Sequence, residues 1–145
     1  MKSELPAVAR RHLRLGWLGL AAFVVMGLVL EALHAFKTPL YLDVGHETRR
    51  LMWTLAHAHG TLLSLVQLAV ASTAVLLGGE VVSQAASRAL LVGWVLLPVG
   101  FFLGGIGTFG GDPGAGIFLA PVGAAATLVG AGLVARKVWV VTGSD

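Results

Sequence analysis

The chain has 145 residues, 57% of them hydrophobic and 12% charged, with a mean hydropathy of +0.87. That balance excludes an ordinary soluble domain and points to an integral membrane protein. Cysteine is absent, which excludes disulfides, thiolate metal sites and cysteine nucleophiles, so any metal is held by histidine, carboxylate or a macrocycle. The net charge of +3 comes from lysines and arginines at the ends of apolar segments, where membrane topology accounts for them and no nucleic acid need be invoked.

The first residues are polar and basic, with Lys2, Arg10 and Arg11 leading into an apolar segment at about 13–36. A basic start before an apolar run has the form of a signal peptide. This run is long enough to span, however, and three more follow, so it is read as a retained span. A polar connection at 37–50 contains Pro39, Asp43, Gly45, His46 and Glu47. The second span covers about 51–77, and a polar turn from Gly78 to Arg88 leads to the third at about 89–109, which contains Pro98. Gly110-Gly111-Asp112-Pro113-Gly114 is a turn signature that breaks a helix. The fourth span covers about 116–134 and ends at Arg136 and Lys137. The expected fold is an all-α membrane protein, a four-transmembrane-helix bundle forming a single domain over 1–145.

Lys2, Arg10, Arg11, Arg14, Arg88, Arg136 and Lys137 fall on one side of the membrane, and Lys37, Arg49 and Arg50 on the other. The excess places both termini in the cytoplasm, and the expected location is a bacterial inner membrane. Trp17, Trp94 and Trp139 then lie towards the cytoplasmic interface, Tyr41 and Trp53 towards the outer one. Gly93, Gly100, Gly104, Gly105 and Gly107 in the third span, with Gly123, Gly130 and Gly132 in the fourth, are the small residues that let helices approach in lipid. They would equally make room for a flat ligand or a neighbouring protomer.

Ionisable side chains at membrane depth are costly and usually line a site. Glu31 and His34 sit one turn apart near the outer end of the first span. His57 and His59 lie on the order of 10 Å inside the outer start of the second. These four groups gather in one layer, with Thr108 and Asp112 at its rim. Thr54, His57, Thr61, Ser64 and Gln67 follow the helical repeat and mark a face turned from lipid. His59 is ~200° around from His57 and looks elsewhere, towards the first span or another protomer.

Three chemistries suit this layer. One imidazole is the axial ligand of a haem; or Glu31-x-x-His34 with His57 binds a metal ion, half of the paired motif of di-iron helix proteins; or the histidines are structural, bonded between helices. His46, in the loop, and His12, at the cytoplasmic interface, belong to the structural reading. Glu80, Arg88, Arg49 and Arg50 read as interfacial anchors. No phosphate-binding glycine loop and no plausible Ser-His-Asp set is present.

Ala56-His57-Ala58-His59-Gly60-Thr61-Leu62-Leu63 resembles the second-helix Ala-His-x-x-Gly-x-Leu-Asn of the small four-span hydroxylaminobenzene mutases and styrene oxide isomerases, with His57 and Gly60 matching. Arg14-Leu15-Gly16-Trp17-Leu18, Gly93-Trp94, Gly100-Phe101-Phe102-Leu103 and Ala120-Pro121 are further echoes, and length, span count and order agree over nearly the whole chain. The resemblance implies a trimer holding haem b between protomers, with His57 as axial ligand and Gly60 beside the cofactor. It also implies ferric iron acting as a Lewis acid on a small lipophilic substrate such as an epoxide. Three positions depart from the family: its second-helix asparagine aligns with Leu63, its third-helix aspartate with Val92 and its tyrosine with Phe102. Glu31, His34 and His59 are the catalytic candidates in their place. The alternative is a non-enzymatic membrane subunit with structural or metal-binding histidines.

Overall fold

The computed structural model describes residues 4–143; Lys2, counted above with the basic end, lies outside them. The helices are α1 (Ala7–Ala35), the single-turn α2 (Pro39–Leu42), α3 (Glu47–Leu76), α4 (Gln84–Ile106) and α5 (Leu119–Thr142), joined by short 3-10 turns. The protein is an all-α bundle whose four long helices, α1, α3, α4 and α5, are apolar enough to cross a membrane. Several overrun the apolar stretches that announce them. α1 begins at Ala7, directly after Pro6, and α5 continues through Arg136 and Lys137 to Thr142. Hydropathy marks the part inside hydrocarbon; the helix itself persists wherever its backbone bonds still close and charged tips reach water.

Local chemistry sets the ends. Ser83 caps α4, its hydroxyl oxygen accepting from the Ala86 N–H at 3.1 Å. Between α4 and α5, Phe109 and Asp112 exchange backbone hydrogen bonds around Gly110 and Gly111, whose φ angles of 59° and 90° are left-handed. This is the turn that the glycine-rich signature predicts. Pro98 is accommodated inside α4 and is buried.

α3 and α4 form the central pair; α1 packs chiefly on α3 and α5 chiefly on α4. In their most apolar stretches, 39% of α3 and of α4 is buried but only 17% of α1 and of α5, so the two flanking helices keep broad apolar faces for lipid or another protein. Pro6 and Val8 meet Gly79 at the end carrying most of the basic residues, whereas Thr48 bonds the Gly111 carbonyl at the other. One apolar cluster, with Ala9, Val70, Val82 and Leu90, fills the basic end, and another, around Leu63, Leu97 and Ala120, fills the middle.

The small residues of α4 and α5 are the means of their close approach. A Cβ on Gly93 would lie 2.1 Å from Thr127 Oγ1, and one on Gly100 would lie 2.6 Å from the Ala120 nitrogen. A Cβ on Gly123 would lie 2.5 Å from the Leu97 nitrogen. These glycines bring one backbone against another, as the packing reading requires, and do not open a slot for a ligand. Gly132 on the same helix meets nothing within 4 Å. We therefore expect Gly123→Ala to lower stability by about 1–3 kcal/mol through overpacking, while Gly132→Ala leaves it unchanged or slightly raised. Thermal unfolding of the two variants in one detergent checks this, and equal losses at both positions would sink the backbone-contact explanation.

Candidate functional site

The polar stripe of α3 turns inward, but its members do different things. Near the basic end, Gln67 donates from its amide nitrogen to the Leu90 carbonyl, which leaves its Oε1 to accept from the His12 Nδ1–H. His12 Nε2 is then free to accept the Ser87 hydroxyl proton at 2.8 Å. All three side chains are essentially inaccessible. His12 is thus structural, as its sequence context indicates, but it sits inside the bundle and ties α1, α3 and α4 together. Ser87 donating to an imidazole has the pattern of an activated nucleophile, yet its burial and the uncharged Gln67 leave no route for a substrate. Higher up, the Trp94 indole donates to Ser64 Oγ at 3.0 Å, and Ser64 donates to the Gly60 carbonyl. Thr61 Oγ1 is buried with no hydrogen-bond partner among the described residues.

His57 is treated differently. Its Nδ1 lies 2.7 Å from the Phe23 carbonyl oxygen of α1. A carbonyl can only accept, so Nδ1 carries a proton, and in the neutral ring Nε2 is the nitrogen with the lone pair. Two contacts hold this arrangement. A Cβ on Gly27 would fall 2.5 Å from His57 Cε1, so the imidazole occupies the space that a glycine leaves on α1. A Cβ on Gly60 would fall 2.3 Å from the Phe23 ring, so the ring seats on the bare turn of α3. Gly60 therefore acts through Phe23, and its contact is with that ring.

His57 opens into a cleft of about 230 Å³ between α1 and α3, shared with Gly27, Glu31, His34, Tyr41 and Thr54. The cleft continues outward into a mouth of about 660 Å³, where His34, Tyr41 and Thr54 are joined by Glu47, Thr48 and Arg50. Glu31, His34 and His57 are thus brought together on one cleft, with Glu31 and His34 exposed on its rim. His59 is not among them. Its Nδ1–H is given to the Leu55 carbonyl at 2.9 Å, one turn back in its own helix, and its ring stacks on Phe101 of α4 at 4.9 Å. The ~200° between the two histidines sends His59 to α4, and the expectation that it faces α1 or the open side of the site is corrected. Asp112 stays exposed in the α4–α5 turn and does not reach the layer.

Among the described residues, no three histidine, aspartate or glutamate side chains converge closely enough to hold a metal ion. The Glu31, His34 and His57 alternative consequently has no assembled donor set in this chain. Leu63 faces the central apolar cluster, Val92 is exposed, and Phe102 stacks on Trp53 at 5.8 Å. None of the three lines the His57 cleft.

Sequence reasoning missed two parts of the site. Tyr41, read only as an interfacial aromatic, is 5% exposed and stacks on Trp53 at 6.5 Å, with its hydroxyl 3.4 Å from Thr54 Oγ1. Phe23 supplies the acceptor through its backbone, and a carbonyl leaves no mark in side-chain identity. Arg49, by contrast, is occupied as a staple: it donates to the Gly105 and Leu40 carbonyls and lies over the Trp53 ring.

Comparison of the chain with protein-family models, with curated proteins and with solved structures gives no match. The site is therefore argued from its own geometry, and Gly27 is where that geometry is most exposed to test. Gly27→Ala should push the His57 ring off the Phe23 carbonyl and cost about 1–3 kcal/mol in thermal stability. Nitrogen-15 NMR of labelled histidine should show His57 losing its fixed Nδ1–H form. An unchanged imidazole signal in that variant would mean that Gly27 does not position the ring.

Proposed function

We propose that the protein is an integral membrane haem b-binding protein in which His57 is the axial ligand. The observation that carries this reading is the His57 Nδ1–H donated to Phe23, which leaves Nε2 without a hydrogen-bond partner among the described residues on a side chain that lines the cleft. That is how proteins orient a metal-ligating histidine. The donor set also fits: the cleft offers one fixed imidazole and no cluster of three ligands, and a porphyrin brings its own four nitrogens and needs only an axial partner. When bound, ferric haem supplies a Lewis-acidic iron that polarises the oxygen of a small lipophilic molecule such as an epoxide. His57 would hold the iron, while the Phe23 carbonyl fixes the imidazole and Gly27 and Gly60 admit the two rings that make this contact.

Two observations bear on assembly. The cleft of about 230 Å³ falls below the roughly 300–1,000 Å³ of an ordinary small-molecule site, so a macrocycle needs a further wall. Val24 and Leu28, on the flank of α1 next to the cleft-lining Gly27 and Glu31, are exposed. A second copy of the chain covering this face would complete the site and make the protein a homo-oligomer, with three copies as the form the family resemblance implies.

A second reading is favoured by Leu63, Val92 and Phe102, which leave the family's polar positions apolar and away from the cleft. On it the protein is a haem-carrying or structural subunit without isomerase activity, and Glu31 and His34 are the remaining candidates for catalysis. Spin state separates the two readings: isomerisation requires an open iron position, electron transfer does not.

Detergent-purified protein should show a Soret band and about one haem per chain by pyridine haemochrome assay. His57→Ala should abolish the band while the protein still inserts. His59→Ala, whose ring lies against Phe101, should keep it. A full Soret band in the His57 variant would end the ligand assignment, and loss confined to the His59 variant would transfer it.

A further inference from the structure

α1 and α4 both run inward from the basic end, and the bond between His12 Nε2 and Ser87 Oγ at 2.8 Å sets their first turns at one level. Beside each of those residues stands an exposed arginine, Arg11 next to His12 and Arg88 next to Ser87. Arg10, Arg11 and Arg14 line one recess together with Ala7 and Leu15, and no acidic side chain lines it. The three guanidinium groups make no hydrogen bond or ion pair among the described residues. Arg88 makes only an exposed bond of 3.3 Å to Gln84, one turn back on its own helix. Membrane topology accounts for cations at this end, but it does not account for what lies directly inward of them.

Leu15 adjoins Leu18 one turn deeper, and Leu18 begins a second hollow, a groove of about 290 Å³ between α1 and α4. Gly19 and Ala22 give α1 a low wall there, and Trp94, Val95 and Pro98 form the α4 side. The Trp94 indole N–H is spent on Ser64, so the groove offers no free polar group. It exists because α1 packs chiefly on α3 and meets α4 through side chains such as Trp94, which a Cβ on Gly19 would approach to 2.5 Å. Arg11, Leu15, Leu18 and Ala22 form one stripe of α1, and Arg88, Val95 and Val99 form the matching stripe of α4. Each has its cation at the head and apolar residues below. Arg11 to Ala22 is about 16 Å of helix, close to the ~15 Å of hydrocarbon in one leaflet. Gly27 and Glu31 of the His57 cleft lie about 180° around α1 from Leu18 and Ala22, so the two sites are independent.

We propose that this flank binds one anionic phospholipid from the leaflet at the basic end, its phosphate held by Arg11, Arg14 and Arg88 and one acyl chain laid along the α1–α4 groove. A guanidinium matches a phosphate with two parallel hydrogen bonds, and Arg11 and Arg14 have no competing partner to give up. A headgroup that also carries an ammonium gains less, because the recess offers cations and no carboxylate to receive it. The chain contributes differently. Other lipid tails are as apolar as Leu18 or Val95, so laying one in the groove gains little by hydrophobicity. Its shape and its position beneath the arginines fix where the lipid sits, while the charges decide which lipid it is.

The test uses the full chain, delipidated in detergent and titrated with dioleoyl phosphatidylglycerol or dioleoyl phosphatidylcholine, which share their chains and differ in headgroup charge. Native mass spectrometry counts the bound lipid and gives a dissociation constant for each. Wild type should hold one phosphatidylglycerol, about tenfold more tightly than phosphatidylcholine. Arg11→Gln should weaken phosphatidylglycerol about fivefold, and Arg11→Gln with Arg14→Gln roughly 10- to 30-fold, with phosphatidylcholine unchanged. Ala22→Phe fills the groove, keeps every arginine and should weaken both lipids. Arg136→Gln removes a cation from the same end of the bundle on α5, outside the recess, and should change neither. Arg11, Arg14 and Ala22 are exposed, so the variants should unfold at the wild-type temperature without lipid. Phosphatidylglycerol should then raise that temperature in wild type and not in the double variant. No bound lipid, equal affinity for the two lipids, undiminished phosphatidylglycerol binding in the double variant, or a loss in Arg136→Gln equal to that in Arg11→Gln would overturn the site. Intact binding in Ala22→Phe would also overturn it, because the arginines would then act as diffuse charge without the groove.

Discussion

The hydrogen bond from His57 to the Phe23 carbonyl is the interaction on which the reading of this molecule turns. A helical carbonyl already accepts within its own helix, so it has a second lone pair to offer but no urgent need of it. The imidazole, in contrast, has few alternatives inside hydrocarbon, where water is absent and an unpaired N–H is costly. The bond therefore settles the tautomer. Settling the tautomer is what leaves the Nε2 of the neutral ring with a lone pair and no partner among the described residues.

The same constraint sorts the other polar side chains of the spans into kinds. His12 uses both ring nitrogens on Gln67 and Ser87 and has no capacity left, so it can only be a clasp between helices. His59 spends Nδ1 on its own helix at Leu55 and lays its ring on Phe101. His57 spends one nitrogen across the α1–α3 contact, has no second hydrogen bond among the described residues, and lines the cleft. Three histidines at similar cost to the bilayer are thus separated by what remains after their hydrogen bonds are assigned. Type of residue and depth in the membrane do not separate them.

This explains how far the sequence could be read. The four spans were legible because hydrocarbon thickness sets a length and a composition that few other constraints produce, and the α4–α5 turn was legible because left-handed backbone at Gly110 and Gly111 favours glycine. The inward stripe of α3 was legible from its period, and so was the divergence of His57 from His59. The destination of His59 was not, because period gives the angle between two side chains but not which neighbour stands at that angle. Nor was the clasp at His12: Ser87 sits outside the expected span, and the apolar boundary placed His12 in the interface when the helix carries it inside. Phe23 was invisible for a different reason, since its contribution is a backbone atom common to every residue.

Close packing in a membrane also decides where a site can form. α4 and α5 approach so tightly at Gly93, Gly100 and Gly123 that a single added Cβ would meet the facing helix at each. α1 and α3 meet closely at Gly16, Gly19 and Gly27, and outward of Gly27 the residues Leu30, Glu31 and His34 line the cleft. α2 contributes Tyr41 to the walls of the cleft and of its mouth. A polar group in that opening is sheltered from lipid by protein on two sides and can be retained at modest cost. The third side is the exposed face of α1, which is apolar enough to meet lipid or another protein.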